Sequence, residues 1–156
     1  MNLELGIAIS CAPEGCRVRL LDGGATIDAA YAAPVRNSIK IRPRQLVAVD
    51  RGATPPEVVY RWFIGQVVRV EGGRIGVVRR DASGHVLEPA STGGVIDLTP
   101  SSGLETEVRV GDEVFFTNSP EPLLNDVAAG GLPAHPELLR RDALPRIAEY
   151  YAGRDR

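Results

Sequence analysis

The chain has 156 residues, 18 Lys and Arg against 20 Asp and Glu, and a formal net charge of −2. Hydrophobic residues make up 44% and charged residues 24%, which excludes disorder over the whole chain. No apolar run reaches the roughly 18 residues needed to cross a bilayer, and the start carries Glu4 without a basic stretch, so neither a membrane partner nor a secretion signal is read and a cytoplasmic location is expected.

The first 118 residues read as strands. Leu3, Leu5, Ile7 and Ile9 alternate with Glu4, Gly6, Ala8 and Ser10, the period-two pattern of a half-buried strand. Pro13-Glu14-Gly15 is a turn, and Val18 and Leu20 alternate with Arg17 and Arg19 in a second strand. Asp22-Gly23-Gly24 turns the chain into a third strand at 25–32. Further strands are expected at 45–50, 57–63, 66–71 and 74–80, the last two joined by Gly72-Gly73. Beyond Arg80 come shorter strands at 85–87, 94–98, 105–110 and 113–117, with Gly111-Asp112 turning into the last. No internal repeat is visible. Residues 123–129 read as one or two helical turns. Pro136 suits a first helical position, and Leu139, Ala143, Ile147 and Tyr151 fall on one face after it, with Pro145 expected to kink or restart the helix. With 17 Gly and 12 Pro dividing the chain into short elements, the expectation is an all-β fold. It comprises a small barrel at 1–70, a β extension at 71–118 that could share the same barrel, and a helical tail at 119–156.

Catalytic and metal motifs are missing. The Gly-Gly pairs lack the Gly-Lys-Ser/Thr of a phosphate-binding loop, and no G-x-S-x-G or HExxH occurs. His85 and His135 each stand without a partner constellation, so no enzyme activity and no cofactor are read. Cys11 and Cys16 are too few for a metal site. In a cytoplasmic protein they read as small apolar strand residues rather than a disulfide.

The basic residues point to the one candidate site. Only Lys40 of the 18 is a lysine, and arginine suits bidentate phosphate contacts. Residues 1–70 carry net +3, 71–118 carry −4 and 119–156 carry −1. Arg36, Lys40, Arg42 and Arg44 fall within nine residues, interleaved with Ile39 and Ile41. With the strand and Asp22-Gly23 turn upstream and Tyr60-Arg61 downstream, this order resembles bacterial translation initiation factor one over about residues 5–62. That resemblance implies an OB-type barrel that binds ribosomal RNA through the basic stretch and the neighbouring face. Arg36 would then match the family's basic residue, Ile39 and Ile41 its barrel-sealing isoleucines, and Tyr60-Arg61 its closing strand. The Gly-Asp turn of the family is replaced here by Arg44-Gln45. Residues 66–78 also resemble the strand–glycine–strand element of SH3-like ribosomal barrels.

The expected function is a non-enzymatic module that binds RNA or the ribosome through Arg36, Lys40, Arg42, Arg44 and Arg61, with Trp62 as a stacking surface. The alternative reading is a structural or adaptor protein that uses the barrel for protein contacts and self-association.

Overall fold

The computed structural model describes residues 2–38, 41–80, 86–87, 94–101, 103–104, 106–117, 123–129 and 131–154. The protein is mostly β, with two sheets and a C-terminal helix. It divides into two compact units, Met1–Arg61 with Leu144–Arg156, and Trp62–Ala143.

The first unit contains β1 (Leu3–Cys11), β2 (Gly15–Leu20), β3 (Thr26–Tyr31), α1 (Ala33–Ser38), β4 (Leu46–Asp50) and β5 (Glu57–Arg61). Strand alternation sends Cys16, Val18 and Leu20 of β2 inward and Arg17 and Arg19 outward. The pairings close on themselves in the order β1-β2-β3-β5-β4. The ring is uneven: β1 pairs at length with β2 and β4, whereas β3 and β5 share only the parallel rungs Ala30–Glu57 and Tyr31–Val58. Ala8, Val18, Leu20, Val47, Val49 and Val58 fill its core, which Val35 of α1 and Ile41 join.

The second unit contains β6 (Phe63–Glu71), β7 (Arg74–Arg80), β8 (Val86–Leu87), β9 (Ile96–Pro100), β10 (Glu113–Thr117), β11 (Leu123–Ala129) and β12 (Leu132–Pro133), and the start of α2 (Pro136–Arg154). Here β6 pairs with β7 and β10, β7 with β9, β9 with β11 in parallel, and β11 with β10. Its core gathers Val67, Ile75, Val77, Leu98, Leu104, Val108, Val114 and Phe116.

The two units repeat one pairing scheme rung for rung. Ala8–Val18 and Cys11–Cys16 on β1–β2 correspond to Val67–Val77 and Val70–Ile75 on β6–β7, each pair 59 positions on. Gly6–Val47 corresponds to Gly65–Val114, and the parallel rung Ala30–Glu57 to Thr99–Leu123. Bulges fall at matching places, between Ala8 and Ser10 and between Val67 and Arg69, then between Ala48 and Val49 and between Phe115 and Phe116. Gly6 and Gly65 show why glycine recurs. A Cβ would lie 2.3 Å from Val18 Cγ1 at the first and 2.9 Å from Phe116 Cε1 at the second. The sequence hides this repeat because the connections differ in length, so the spacing between matching residues drifts from 59 on β1 and β6 to 67 on β4 and β10.

The division into units falls after Arg61, and β6 pairs with β7 and β10 of the second unit. Three expectations are corrected. Residues 123–129 form a strand, since Leu123 to Val127 pair with β10 and Leu123 and Leu124 also pair with β9, giving the backbone there partners a lone segment lacks. Within 105–110 the described residues form turns that bury Val108 instead of a strand. Helix α2 does not restart after Leu144 but continues through Pro145, which sits on an exposed position where water can take up the Arg141 carbonyl freed by the missing N–H. Leu139, Ala143 and Ile147 are buried as the stripe predicts, and Tyr151 lies outside the residues whose burial is described. Arg141 and Arg146 face solvent and Arg140 is half-buried. No described helix is long and apolar enough to cross a membrane.

Candidate nucleic-acid interface

The basic stretch lies on the α1–β4 connection of the first unit. Buried Val35 ties α1 to the core, and the Arg36 N–H donates to the Ala32 carbonyl (2.9 Å), leaving the Arg36 side chain exposed. Buried Ile41 marks the far end of the connection, and Arg42 after it is exposed. Ile39 and Lys40 lie outside the described residues.

A compact clamp holds the chain where it enters β4. The Arg44 N–H donates to the Ala8 carbonyl (2.8 Å), and the Ala8 N–H donates to the Gln45 carbonyl (2.9 Å). Gln45, largely buried, accepts the Arg42 N–H at Oε1 (2.8 Å), and its own N–H reaches the Arg42 carbonyl at 3.3 Å. Arg44 adopts φ of 73°, in the left-handed region.

The second unit builds the same clamp with different residues. The Gly111 N–H donates to the Val67 carbonyl, the Val67 N–H to the Asp112 carbonyl, and Asp112 Oδ2 accepts the Arg109 N–H at 2.9 Å. Gly111, the counterpart of Arg44, has φ of 97°. The turn therefore forms with glycine at its left-handed position, and the first unit instead places an arginine there.

Register sets Arg61 opposite Val47, two residues past Gln45, at the same end of β4 as the clamp. Trp62 is fully buried and offers no ring face to a base, which corrects its expected stacking role. Tyr31 and Tyr60 are half-buried. On the outer face of β2 and β3, Arg17 pairs with Asp28 (3.2 Å), which neutralises that cation. The structure thus brings Arg42, Arg44 and Arg61 to one end of the ring, with Arg36 on the adjoining helix.

Two other clusters stand out. Cys11 and Cys16, both free thiols, face each other across the first hairpin. Side-chain hydrogen bonds link Cys11 to Tyr31 and to Cys16. Burial raises Cys11, and burial together with the neighbouring Cys11 pushes Cys16 up to about 12. The sequence held the signal for this pairing: a turn centred on Pro13-Glu14 sets 12 against 15 and therefore 11 against 16. In the second unit, buried Asp126 accepts the Val127 N–H (2.7 Å) and the His135 N–H (2.8 Å), which fixes the entry to α2. Burial raises the Asp126 carboxyl above its usual range. His135 Nε2 lies 2.6 Å from Glu107 Oε2, so this histidine joins a loop to the helix entry. His85 lies outside the described residues. Among the described residues no group of three or more His, Cys, Asp or Glu could hold a metal ion.

No protein-family model matches the chain, and no curated protein does.

Proposed function

We propose that the first unit is an OB-type barrel and that the protein is a non-enzymatic RNA-binding module whose contact surface is the α1–β4 connection. The ring order β1-β2-β3-β5-β4, with a helix between β3 and β4, supports the fold assignment. One observation carries the function: Arg44 occupies a left-handed position that the second unit fills with glycine. A side chain there costs about 1–2 kcal/mol of backbone energy. Such a cost persists where the residue serves something other than the turn. Beside it stand Arg36 and Arg42, both exposed, and the four-charge stretch that includes Lys40.

A fluorescein-labelled oligouridine titrated with the full chain tests this reading. Log affinity should fall with log salt at roughly −0.7 per phosphate contact, and replacing Arg36, Lys40, Arg42 and Arg44 with Ala should remove most of that slope. Equal binding by the native chain and the fourfold variant, or no binding at low salt, overturns it.

A second reading rests on the exposed apolar residues of the second unit. Val68, Val70, Val95 and Val110 are each at least 38% exposed, on the unit that carries most of the acidic groups. These favour contacts with another copy of the chain in a structural role. Light scattering separates the two: a stable oligomer without RNA affinity supports the second reading, and a monomer that binds oligouridine supports the first.

A further inference from the structure

The first hairpin carries two thiols at a place where the fold does not need them. Cys11 and Cys16 are direct partners across β1 and β2. The hairpin closes with the Ala12 N–H donating to the Gly15 carbonyl at 2.8 Å, so 12 and 15 form a hydrogen-bonded pair. Alternation then makes 11 and 16 a non-hydrogen-bonded pair, in which Cα atoms approach to about 4.5 Å and side chains are closest. That separation lies within the range a disulfide spans. A side-chain hydrogen bond already links the two thiols. The second unit supplies an internal comparison, because Val70 and Ile75 occupy the matching rung. Ordinary apolar side chains complete the hairpin there, so packing alone does not call for sulfur.

We propose that Cys11 and Cys16 form a redox-active pair that closes to a disulfide across the β1–β2 hairpin by exchange with a low-molecular-weight disulfide. Cys11 is the attacking sulfur. It is the more exposed of the two, so an incoming disulfide reaches it first. After losing its proton, Cys11 attacks one sulfur of the small disulfide and expels the other as a thiolate, which takes up that proton. Cys16 then loses its proton and attacks Cys11 Sγ in the mixed disulfide, expelling the second small thiol. Two protein thiols are oxidised, one small disulfide is reduced to two thiols, and both protons leave on the expelled thiols. The high thiol values at Cys11 and Cys16 make this exchange slow at neutral pH and faster as pH rises. Because residues 11 and 16 belong to a preformed hairpin, the second step outruns release of the mixed disulfide.

The test uses the folded full chain equilibrated with oxidised and reduced glutathione at graded ratios, quenched by alkylation and weighed intact. Both thiols should vanish together, as an intramolecular disulfide in monomeric chain that dithiothreitol reverses. A persistent glutathione adduct with Cys16 still alkylatable overturns the proposal. So do disulfide-linked dimers, and so does a folded chain that keeps both thiols at ratios that oxidise the same chain unfolded in urea. Cys16→Ile, which copies the second unit's residue, should stop the reaction at a stable adduct on Cys11; no adduct overturns the assigned order of attack. Should that variant fail to fold, Cys11→Val takes its place. Buried Cys16 should then stay unmodified, and rapid modification of it overturns the order equally.

Discussion

Arg44 and Gly111 occupy equivalent positions with φ of 73° and 97°, so one substitution at each tests the same backbone cost in opposite directions. Arg44→Gly should raise stability by about 0.5–1 kcal/mol, the relief of a left-handed side chain less the added freedom of glycine in the unfolded chain. Gly111→Ala should lower it by about 1 kcal/mol or more. Urea melts of the two variants check both signs; loss of stability in Arg44→Gly would show that the arginine side chain holds the turn. Asp126 gives a second test. Its carboxyl is raised in the folded protein, so the native state binds the proton more tightly than the unfolded chain does. The stability contributed by that proton is complete below the ordinary carboxyl value and is lost as pH rises through the higher folded value. Asp126→Asn has no such titration and should flatten the dependence of the urea midpoint on pH across the acid range. It should also be less stable than the native chain near neutrality, because an amide nitrogen cannot accept from the Val127 or His135 N–H. An unchanged pH profile would assign the acid dependence to other carboxylates.

At the level of elements, the period-two run of β2 and the stripe Leu139, Ala143, Ile147 were legible because one face of each is buried and the other wet. The alternation of β1 marked a strand but not its faces, since Leu5 to Ala8 are buried without a break and Ile9 is exposed. β11 was not. Leu123–Ala129 carries Asn125 and Asp126 at its centre, which suits no buried strand until neighbours supply partners. For Asp126 those partners are the Val127 N–H and the His135 N–H at the entry to α2, and beside it the Ser101 hydroxyl donates to the Asn125 carbonyl. α1 was hidden by its length, since six residues with one buried valine make no periodic signal. Helix α2 carries its own predictions. Leu139→Ala should cost about 2–5 kcal/mol, the usual price of emptying a fully buried leucine site. Pro145→Ala should stabilise by up to about 3 kcal/mol, because the site is exposed and the restored N–H can reach the Arg141 carbonyl. Thermal melts followed by circular dichroism measure both. If Leu139→Ala melts with the native chain, the stripe contributes nothing to the core.

Over the whole molecule, two cores built on one scheme lie in two compact units, which should open as two cooperative regions. Val47→Ala and Val114→Ala empty matching rungs, since Val47 pairs with Gly6 and Val114 with Gly65. The first should lower amide-exchange protection across β1 to β5 and the second across β6, β7 and β9 to β11, each leaving the other region nearer its native protection. Equal loss everywhere from either variant would mean a single cooperative unit.

The sequence by itself determined which segments alternate, where Gly and Pro end them, that the basic residues gather before β4, and that catalytic motifs are missing. These are properties of neighbours along the chain, and local sterics and side-chain polarity write them directly. Only the tertiary structure decided that the strands divide after Arg61 into two rings of one design, that Trp62 is buried, and that Arg44 sits where glycine would serve. The repeat escapes the sequence because strand pairing constrains backbone register and the inward or outward sense of each side chain, not its identity. Ala8 and Val67, or Cys16 and Ile75, fill the same place equally well, while connections of unequal length shift the spacing between them.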